Sequence, residues 1–557
     1  MLMATLSFNK KELDRFITKE LPCEKVANAF EMLGMPVDKA DEEEIVADIT
    51  NDRIDMFTVE GAGRAIGQFF GLVKPRGYKV ENSGLVLNVE KVDARPYAMA
   101  FVARGLKIDD EMIRSLIMAQ EKIHDTFGRK RKKIAIGIHD ADKVVGPLSY
   151  RQFKDISFVP LDTNKEMTVS QILENHPKGQ EYAHIFDKVS EYPMFMDSEG
   201  VLSFPPIINS ERTRLTEKTS NLLLDVTGTS ETAVRTVLNV FATALHERGA
   251  KIENIKINQS GKVQDSLQFE RKEKLSLKFA NKLLGLRLKE QDAVSLLSRM
   301  GMDSKAEKGE LTISVPPYRS DILHEVDFIE DLAVAYGYEN FKPALPKLLT
   351  MGAVSDQTKL DSKIRRILIS LGFIEINSWT LTNEETAGKA FMNKDAVTIK
   401  NPRTSDFTIF RTDLAPSMLQ TLGENKTKGL PLKLFEAGRV SDPSGRCRTR
   451  LCCAIMSENS SFSNMASVLN EVKSSANVSE RYVEDEKETT GFEHLIEGRY
   501  VLVGTQEERK GETTGWCGEI HPKVLQNFRL EYPVSMFEFD LSPAISKKKG
   551  EDQRRNS

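Results

Sequence analysis

The sequence predicts a multidomain α+β chain, and three observations carry that prediction: a length of 557 residues, an ordinary globular composition, and a change in element pattern along the chain. A chain this long exceeds what one hydrophobic core organises and suggests roughly three or four domains. With 40 % hydrophobic and 29 % charged residues it carries enough apolar surface to build those cores. Strands and helices intermix through residues 1–345, whereas residues 356–541 read as an amphipathic helix followed by long apolar strands, suited to an antiparallel sheet.

Residues 1–85 form an N-terminal α/β module. TLSFNKKELDRFI is a strand feeding a helix, and PCEKVANAFEMLGMPVD is a second amphipathic helix that Gly34 stops. An acidic strand then leads through Asn51, Asp52 and Arg53, read as a turn with N-cap chemistry, to a helix carrying Val59, Ala62, Ile66 and Phe70.

Residues 86–262 read as mixed α/β. An amphipathic helix over 109–127 is followed by a basic cluster, Arg129 to Lys133, and an apolar strand ending at His139 and Asp140. His139 could serve as a general base, but a lone histidine at a strand end is more often structural. A further strand leads to a helix capped near Thr229 or Ser230. Two strands, a polar turn and a helix N-terminus can form a pocket lined by Asn209, Ser210, Asp225 and Thr227. No nucleophile with an adjacent base is visible, so hydrolysis there would use a positioned water.

Residues 270–345 form a small unit: a strand KLSLKF, a helix around Asn281 to Leu284, another from Lys289 to Met300, and a hairpin across Lys308 and Gly309. The unit ends in Pro316–Phe341, where Ser320 or Asp321 can cap a helix that Gly337 stops. Ile322, Val326, Ile329, Ala333 and Tyr336 share one face of it, with Asp327, Glu330 and Asp331 opposite. Like charges at i, i+3, i+4 repel by roughly 0.2–0.5 kcal/mol per pair unless a cation answers them. The pattern reads as a solvated face or as oxygen ligands for a hard divalent ion.

Residues 356–541 begin with KLDSKIRRILISLGF, a helix with Leu360, Ile364, Ile367, Leu368 and Leu371 on one side, running into a strand IEINSWTL. An Arg-bearing strand at Arg411, a capped helix, and the buried strands LPLKLFEAGRV and MFEFDL complete the unit.

No run of about eighteen apolar residues and no signal-peptide pattern is present, so neither a membrane span nor secretion is expected. The five cysteines are odd in number and form no C-x-x-C pair, which predicts reduced cytoplasmic thiols and argues against zinc. A net charge of −4 does not advertise nucleic acid, and the basic cluster at Arg129 reads as solvated. Residues 542–557 read as a disordered basic tail.

RKRKKIAIGIHD, EYPMFMDSEGVLSFPPIINSERTRLT, DVTGT, VPPYRSDILHEVDFIEDLAVAYGY and CGEIHPKVL together resemble the β subunit of phenylalanyl-tRNA synthetase, archaeal and eukaryotic cytosolic type. The resemblance runs in unbroken order from Ala4 to Leu541. It implies a cytoplasmic α2β2 tetramer whose α subunit attaches phenylalanine to tRNA-Phe using ATP and Mg2+. It further implies that residues 86–262 are a B3/B4-type editing domain hydrolysing mischarged Tyr-tRNA, with Asp225 and Thr227 as its acidic and hydroxyl pair and Asn209 and Ser210 beside them. Residues 270–345 would be a B5-type domain carrying magnesium on Asp321, Asp327, Glu330 and Asp331. Residues 356–541 would be a catalytically inactive class II synthetase-like domain, because Asp413 stands where the family pattern has Glu after Arg411 and no glycine-rich third motif is present. The turn at Asn51 departs from the family's Asn-Arg-Pro-Asp. The alternatives are a stand-alone editing hydrolase and a non-catalytic tRNA-binding scaffold.

Overall fold

The computed structural model describes residues 3–187, 189–346, 349–392, 394–476, 480–483, 491–505 and 513–542. The basic tail expected from residue 542 falls outside them from residue 543 onward. The chain divides into two units, Met1–Ala344 and Leu345–Ser557.

The first unit opens with the antiparallel sheet Met3–Asn9, Glu44–Thr50, Val37–Ala40, backed by helices Lys10–Ile17, Cys23–Met32 and Val59–Phe69. Asn9 caps the first helix, its Oδ1 accepting from the amides of Lys11 and Glu12. Beyond it lies a ten-stranded mixed sheet. Near one end of this sheet, Leu222–Gly228 pairs antiparallel with Tyr97–Arg104 on one side and Ile134–Asp140 on the other, and all seven of its residues are buried. A strand buried on both faces is normally apolar throughout, so Asp225 and Thr227 within LLLDVTG stand out as polar groups the sheet retains. Alternation puts both on the face opposite Leu224 and Val226.

The small three-stranded sheet Lys272–Ser276, Glu310–Ser314, Asp303–Glu307 packs with helices Leu277–Leu284, Glu290–Arg299 and Glu325–Tyr336. Two expectations change here. KLSLKF is a strand only to Ser276, whose hydroxyl accepts from the Phe279 amide and starts the helix early. The acidic helix is capped by His324 rather than Ser320 or Asp321, which leaves Val326 39 % exposed and Asp331 buried at 6 %. The three modules read separately from the sequence share one unit, whose largest apolar cluster reaches from Ala4 to Ala335.

In the second unit a seven-stranded sheet runs Ile374–Glu375, Leu432–Ser441, Cys447–Met456, Val534–Asp540, Thr513–Ile520, Leu495–Thr505, Glu480–Val483, antiparallel except for its first pair. Strand alternation divides its core. Leu360, Ile364 and Leu368 of helix Asp356–Ser370 pack with Phe435, Cys453 and Phe537 on one face. Met418 and Leu422 of helix Ala415–Glu424 pack with Cys452, Ala454 and Met536 on the other. All five cysteines are free. The predicted strand IEINSWTL shrinks to Ile374–Glu375 and Leu381–Thr382, because Trp379 between them is 78 % exposed and offers the core nothing.

His494 is 2 % exposed against the Trp516 ring, with neither ring nitrogen hydrogen-bonded among the described residues. Burial pushes its pKa down to about 4. The unfolded chain therefore binds the extra proton first, so stability present above about pH 6.5 is lost as pH falls toward 4, by about 1.4 kcal/mol per unit at most. His494→Phe is expected to flatten the thermal midpoint of the full chain between pH 6.5 and 5 relative to wild type.

Candidate functional site

The cavity over the polar face of Leu222–Gly228 has a volume of about 640 Å³, within the range of small-molecule sites. Its walls come from helix Asp110–Asp125, from Ala135 to Gly137, from Leu161 to Thr163, and from the run Ser203–Asn209. They are mostly apolar, with a few convergent polar groups, the composition that suits a ligand with an aromatic or aliphatic body and a polar end.

Asp225 lies on this cavity, held from behind. Its Oδ1 accepts from His139 Nε2 at 2.9 Å, and His139 Nδ1 meets the Thr213 hydroxyl at 2.8 Å. His139 and Thr213 are 0 % and 1 % exposed. The histidine can reach the carboxylate because register places Gly137 opposite Asp225 and His139 one step diagonal to it. A Cβ at Gly137 would stand 2.2 Å from Asp225 Oδ1 and 2.9 Å from His139 Nε2. Only glycine leaves that space.

Of the four pocket residues expected from the sequence, Asp225 and Asn209 line the cavity together. Asn209 donates from Nδ2 to the Ile138 carbonyl at 3.2 Å. Thr227 lies fully buried beneath, its hydroxyl and carbonyl accepting from Arg95 at 3.3 and 2.8 Å. Ser210 is not on the cavity; it caps the 3-10 turn Glu211–Thr213 that delivers Thr213 to His139.

Three further groups belong to this site without a sequence motif that assigns them to it. Ser203 is paired in register with Asn209, so both side chains share a face. Its hydroxyl is buried on the cavity with no hydrogen-bond partner among the described residues. Nothing in VLSFPP marks that serine, since its exposure to a cavity is a tertiary property. Arg131, expected in solvent with its basic neighbours, is turned inward by positive φ angles at Arg129, Lys130 and Arg131. It donates to the Pro206 and Ile207 carbonyls at 3.1 Å and to Glu121 at 2.7 Å, and lies over the Tyr182 ring at 4.6 Å. Burial works against the Glu121 carboxylate, yet His124 and Arg131 hold it down to about 2. Arg95 is a buried cation held by the carbonyls of Arg131, Lys132 and Thr227. Burial pushes it down to about 10.

The magnesium set expected on the acidic helix is not assembled. Asp321 and Asp331 both grip the guanidinium of Arg319, at 2.6 and 2.9 Å. Asp327 spends its carboxylate on the amides of Leu323 and His324, and Glu330 is exposed. Among the described residues no group of three His, Cys, Asp or Glu side chains comes together to hold a metal ion. A divalent ion does not fit these residues as they stand, because a fixed cation already answers the buried Asp331 and the half-buried Asp321. Burial raises Asp331 to about 6, whereas Asp321, nearer the surface, is held below the usual carboxylate range by Arg319 once its own burial is overcome.

The turn Asn51–Asp55, read as capping, holds a buried ion pair: Arg53 Nε lies 2.9 Å from Asp55 Oδ1, and Asp55 also accepts from Arg64 at 3.3 Å. In the second unit Arg411 is 3 % exposed and salt-bridged to Glu436 at 2.8 Å.

Comparison with known proteins covers nearly the whole chain. Residues 85–258 match the B3/4 domain, residues 273–338 the tRNA synthetase B5 domain, and residues 342–541 the phenylalanyl tRNA synthetase beta chain CLM domain. The phenylalanine–tRNA ligase beta subunit of Archaeoglobus fulgidus is 36 % identical over 542 residues, covering 95 % of this chain and 97 % of that protein. That of Methanocaldococcus jannaschii is 36 % identical over 561 residues, covering 97 % and 100 %. The crystal structure of an N-terminal fragment of the phenylalanyl-tRNA synthetase beta subunit from Pyrococcus horikoshii superimposes with a TM-score of 0.58 at 34 % identity, covering 60 % of this chain and all of that fragment.

Two outcomes follow from the geometry. Gly137→Ala is expected to cost about 1–3 kcal/mol by overpacking, read as a lower thermal midpoint. Arg319→Met is expected to cost about 3–5 kcal/mol by leaving the buried Asp331 and the half-buried Asp321 unanswered, while a chelator leaves the wild-type midpoint unchanged; thermal scans of the four preparations check both.

Proposed function

Because the chain belongs to the phenylalanine–tRNA ligase beta-subunit family, we propose that it assembles with an alpha subunit that performs the ATP- and magnesium-dependent attachment of phenylalanine, and that its own chemistry is hydrolysis of mischarged Tyr-tRNA. An α2β2 tetramer working on tRNA-Phe in the cytoplasm is part of this reading. The observation that carries it is the cavity with Asp225 on its wall.

The physical need for such a site is a limit on selectivity. A pocket shaped for phenylalanine rejects an added hydroxyl by only about 100-fold, whereas a site that must hydrogen-bond that hydroxyl rejects the analogue lacking it by about 10,000-fold or more. Asp225, Asn209 and Ser203 are polar groups on a cavity whose walls also carry apolar side chains such as Ile117, Ile136 and Phe204. A tyrosyl hydroxyl offers a partner to the second oxygen of Asp225, and a phenylalanyl ring offers none. Asp225 then holds the phenol or orients the water that attacks the ester carbonyl. Thr227 acts from below by tying the strand to Arg95. Ser210 acts one layer further out.

The second unit supports a structural role rather than synthesis. Arg411, which resembles the phosphate-holding arginine of class II synthetases, is committed to Glu436, to Ser378 at 2.7 Å and to the Arg439 carbonyl at 2.9 Å. The likeness of residues 356–541 to a class II catalytic domain is therefore proposed as a scaffold for subunit contact. The four carboxylates Asp321, Asp327, Glu330 and Asp331 belong to the same scaffold in this reading, with Arg319 as their cation.

Co-expression with the alpha subunit tests the reading. The expected product is a stoichiometric complex that forms Phe-tRNA and clears Tyr-tRNA. Asp225→Ala is expected to lower deacylation by at least about 100-fold and leave Phe-tRNA formation within twofold or so, since the positioned acid or base is worth that much. Purification as a lone chain, or intact Tyr-tRNA with the wild-type complex, would sink the assembly and editing parts respectively.

A further inference from the structure

The array behind Asp225 has a direction. A carboxylate only accepts, so the proton between His139 and Asp225 sits on Nε2. In the neutral imidazole Nδ1 is then an acceptor, and the Thr213 hydroxyl supplies its donor. Thr213 is set by the turn Glu211–Thr213, which Ser210 caps and which follows directly on the cavity residue Asn209. Asp225 Oδ2 has no hydrogen-bond partner among the described residues, and Asp225 lines the cavity. One oxygen is thus tethered and the other free for a ligand.

We propose that His139 is a positioning residue for the editing reaction: it locks the Asp225 carboxylate in one rotamer so that Oδ2 meets the phenol or the attacking water, and Thr213 fixes the tautomer that lets it do so. The proposal rests on the editing reading given above and adds to it the device that aims its central group. Four observations support it independently of that reading. His139 is 0 % exposed, it makes two hydrogen bonds of ordinary length, its partner Thr213 comes from a separate loop, and Gly137 keeps the intervening space empty. A histidine needed only to fill volume requires neither the second loop nor the glycine. His139 does not line the cavity, so it acts through Asp225 and not on the substrate.

The test is steady-state deacylation of Tyr-tRNA by the assembled alpha–beta complex, with Phe-tRNA formation as the control for folding and assembly. His139→Leu is expected to lower kcat by about 100-fold, the cost of misaligning a reacting group by about 1 Å, with KM within about twofold. His139→Gln, whose Nε2 can occupy the place of the imidazole Nε2, is expected to recover most of that loss. Thr213→Val is expected to fall between them. Wild-type kcat in His139→Leu, or a His139→Gln variant as inactive as His139→Leu while still making Phe-tRNA, would overturn the proposal and leave the editing reading standing. If His139→Leu does not assemble, Thr213→Val decides alone, since unchanged kcat there overturns the proposal. A wild-type complex that spares Tyr-tRNA overturns the editing reading and this proposal with it.

Discussion

The first unit depends on a set of buried charges that must meet partners from other parts of the chain. Arg64 is 2 % exposed in the helix Val59–Phe69, stacked 3.6 Å over the Tyr318 ring and facing Asp55 at 3.3 Å and Glu247 at 3.7 Å. Arg248 binds Glu60 and Glu12. Each pair breaks even only when all members are in place, since a buried charge left without its partner costs about 3–5 kcal/mol. Through Arg64, Glu60 and Glu12 the N-terminal module is tied to Glu247 at the end of the helix Glu231–Glu247, to Arg248 just after it and to Tyr318 of the small unit. A shared apolar cluster alone would tolerate sliding, whereas this network has one register.

The same logic, scaled down, shapes the cavity. Its floor is one sheet face on which every polar group but the outermost is tied: Thr227 to Arg95, His139 to Thr213, Asp225 by one oxygen to His139. What is left unpaired among the described residues, the second oxygen of Asp225 and the Ser203 hydroxyl, belongs to two residues that line the cavity. Preorganisation of this kind keeps the cost of ordering out of the binding step.

In the second unit buried charges tie a helix to the sheet. Glu538, 0 % exposed, accepts from the amides of Leu414 and Ala415 at 2.9 and 2.8 Å and so closes the N-terminus of the helix Ala415–Glu424. Asp413, beside it, is bound by Lys394 and Arg450 at 2.9 and 3.1 Å. Asp413 is thus an ion-pair partner inside the unit.

Local pattern determined a good deal by itself. The amphipathic helix with Leu360, Ile364 and Leu368, the hairpin at Lys308 and Gly309, the buried strand carrying Asp225 and Thr227, and the family of the chain were all readable, because periodicity, turn chemistry and motif order are properties of neighbouring residues. What only the tertiary structure decided is where long side chains go. Asp331 sits in an acidic helix face that any periodicity argument sends to solvent, and Arg131 sits in a basic run that charge alone sends there too; Asp331 is buried because the loop before its helix folds Arg319 back onto it, and Arg131 because the carbonyls of Pro206 and Ile207 arrive from far along the chain. His139 looked like a lone histidine for the same reason: Thr213 and Asp225 stand 74 and 86 residues away. Partnership across such separations is created by strand register and loop closure, and neither is written in the residues that surround each partner.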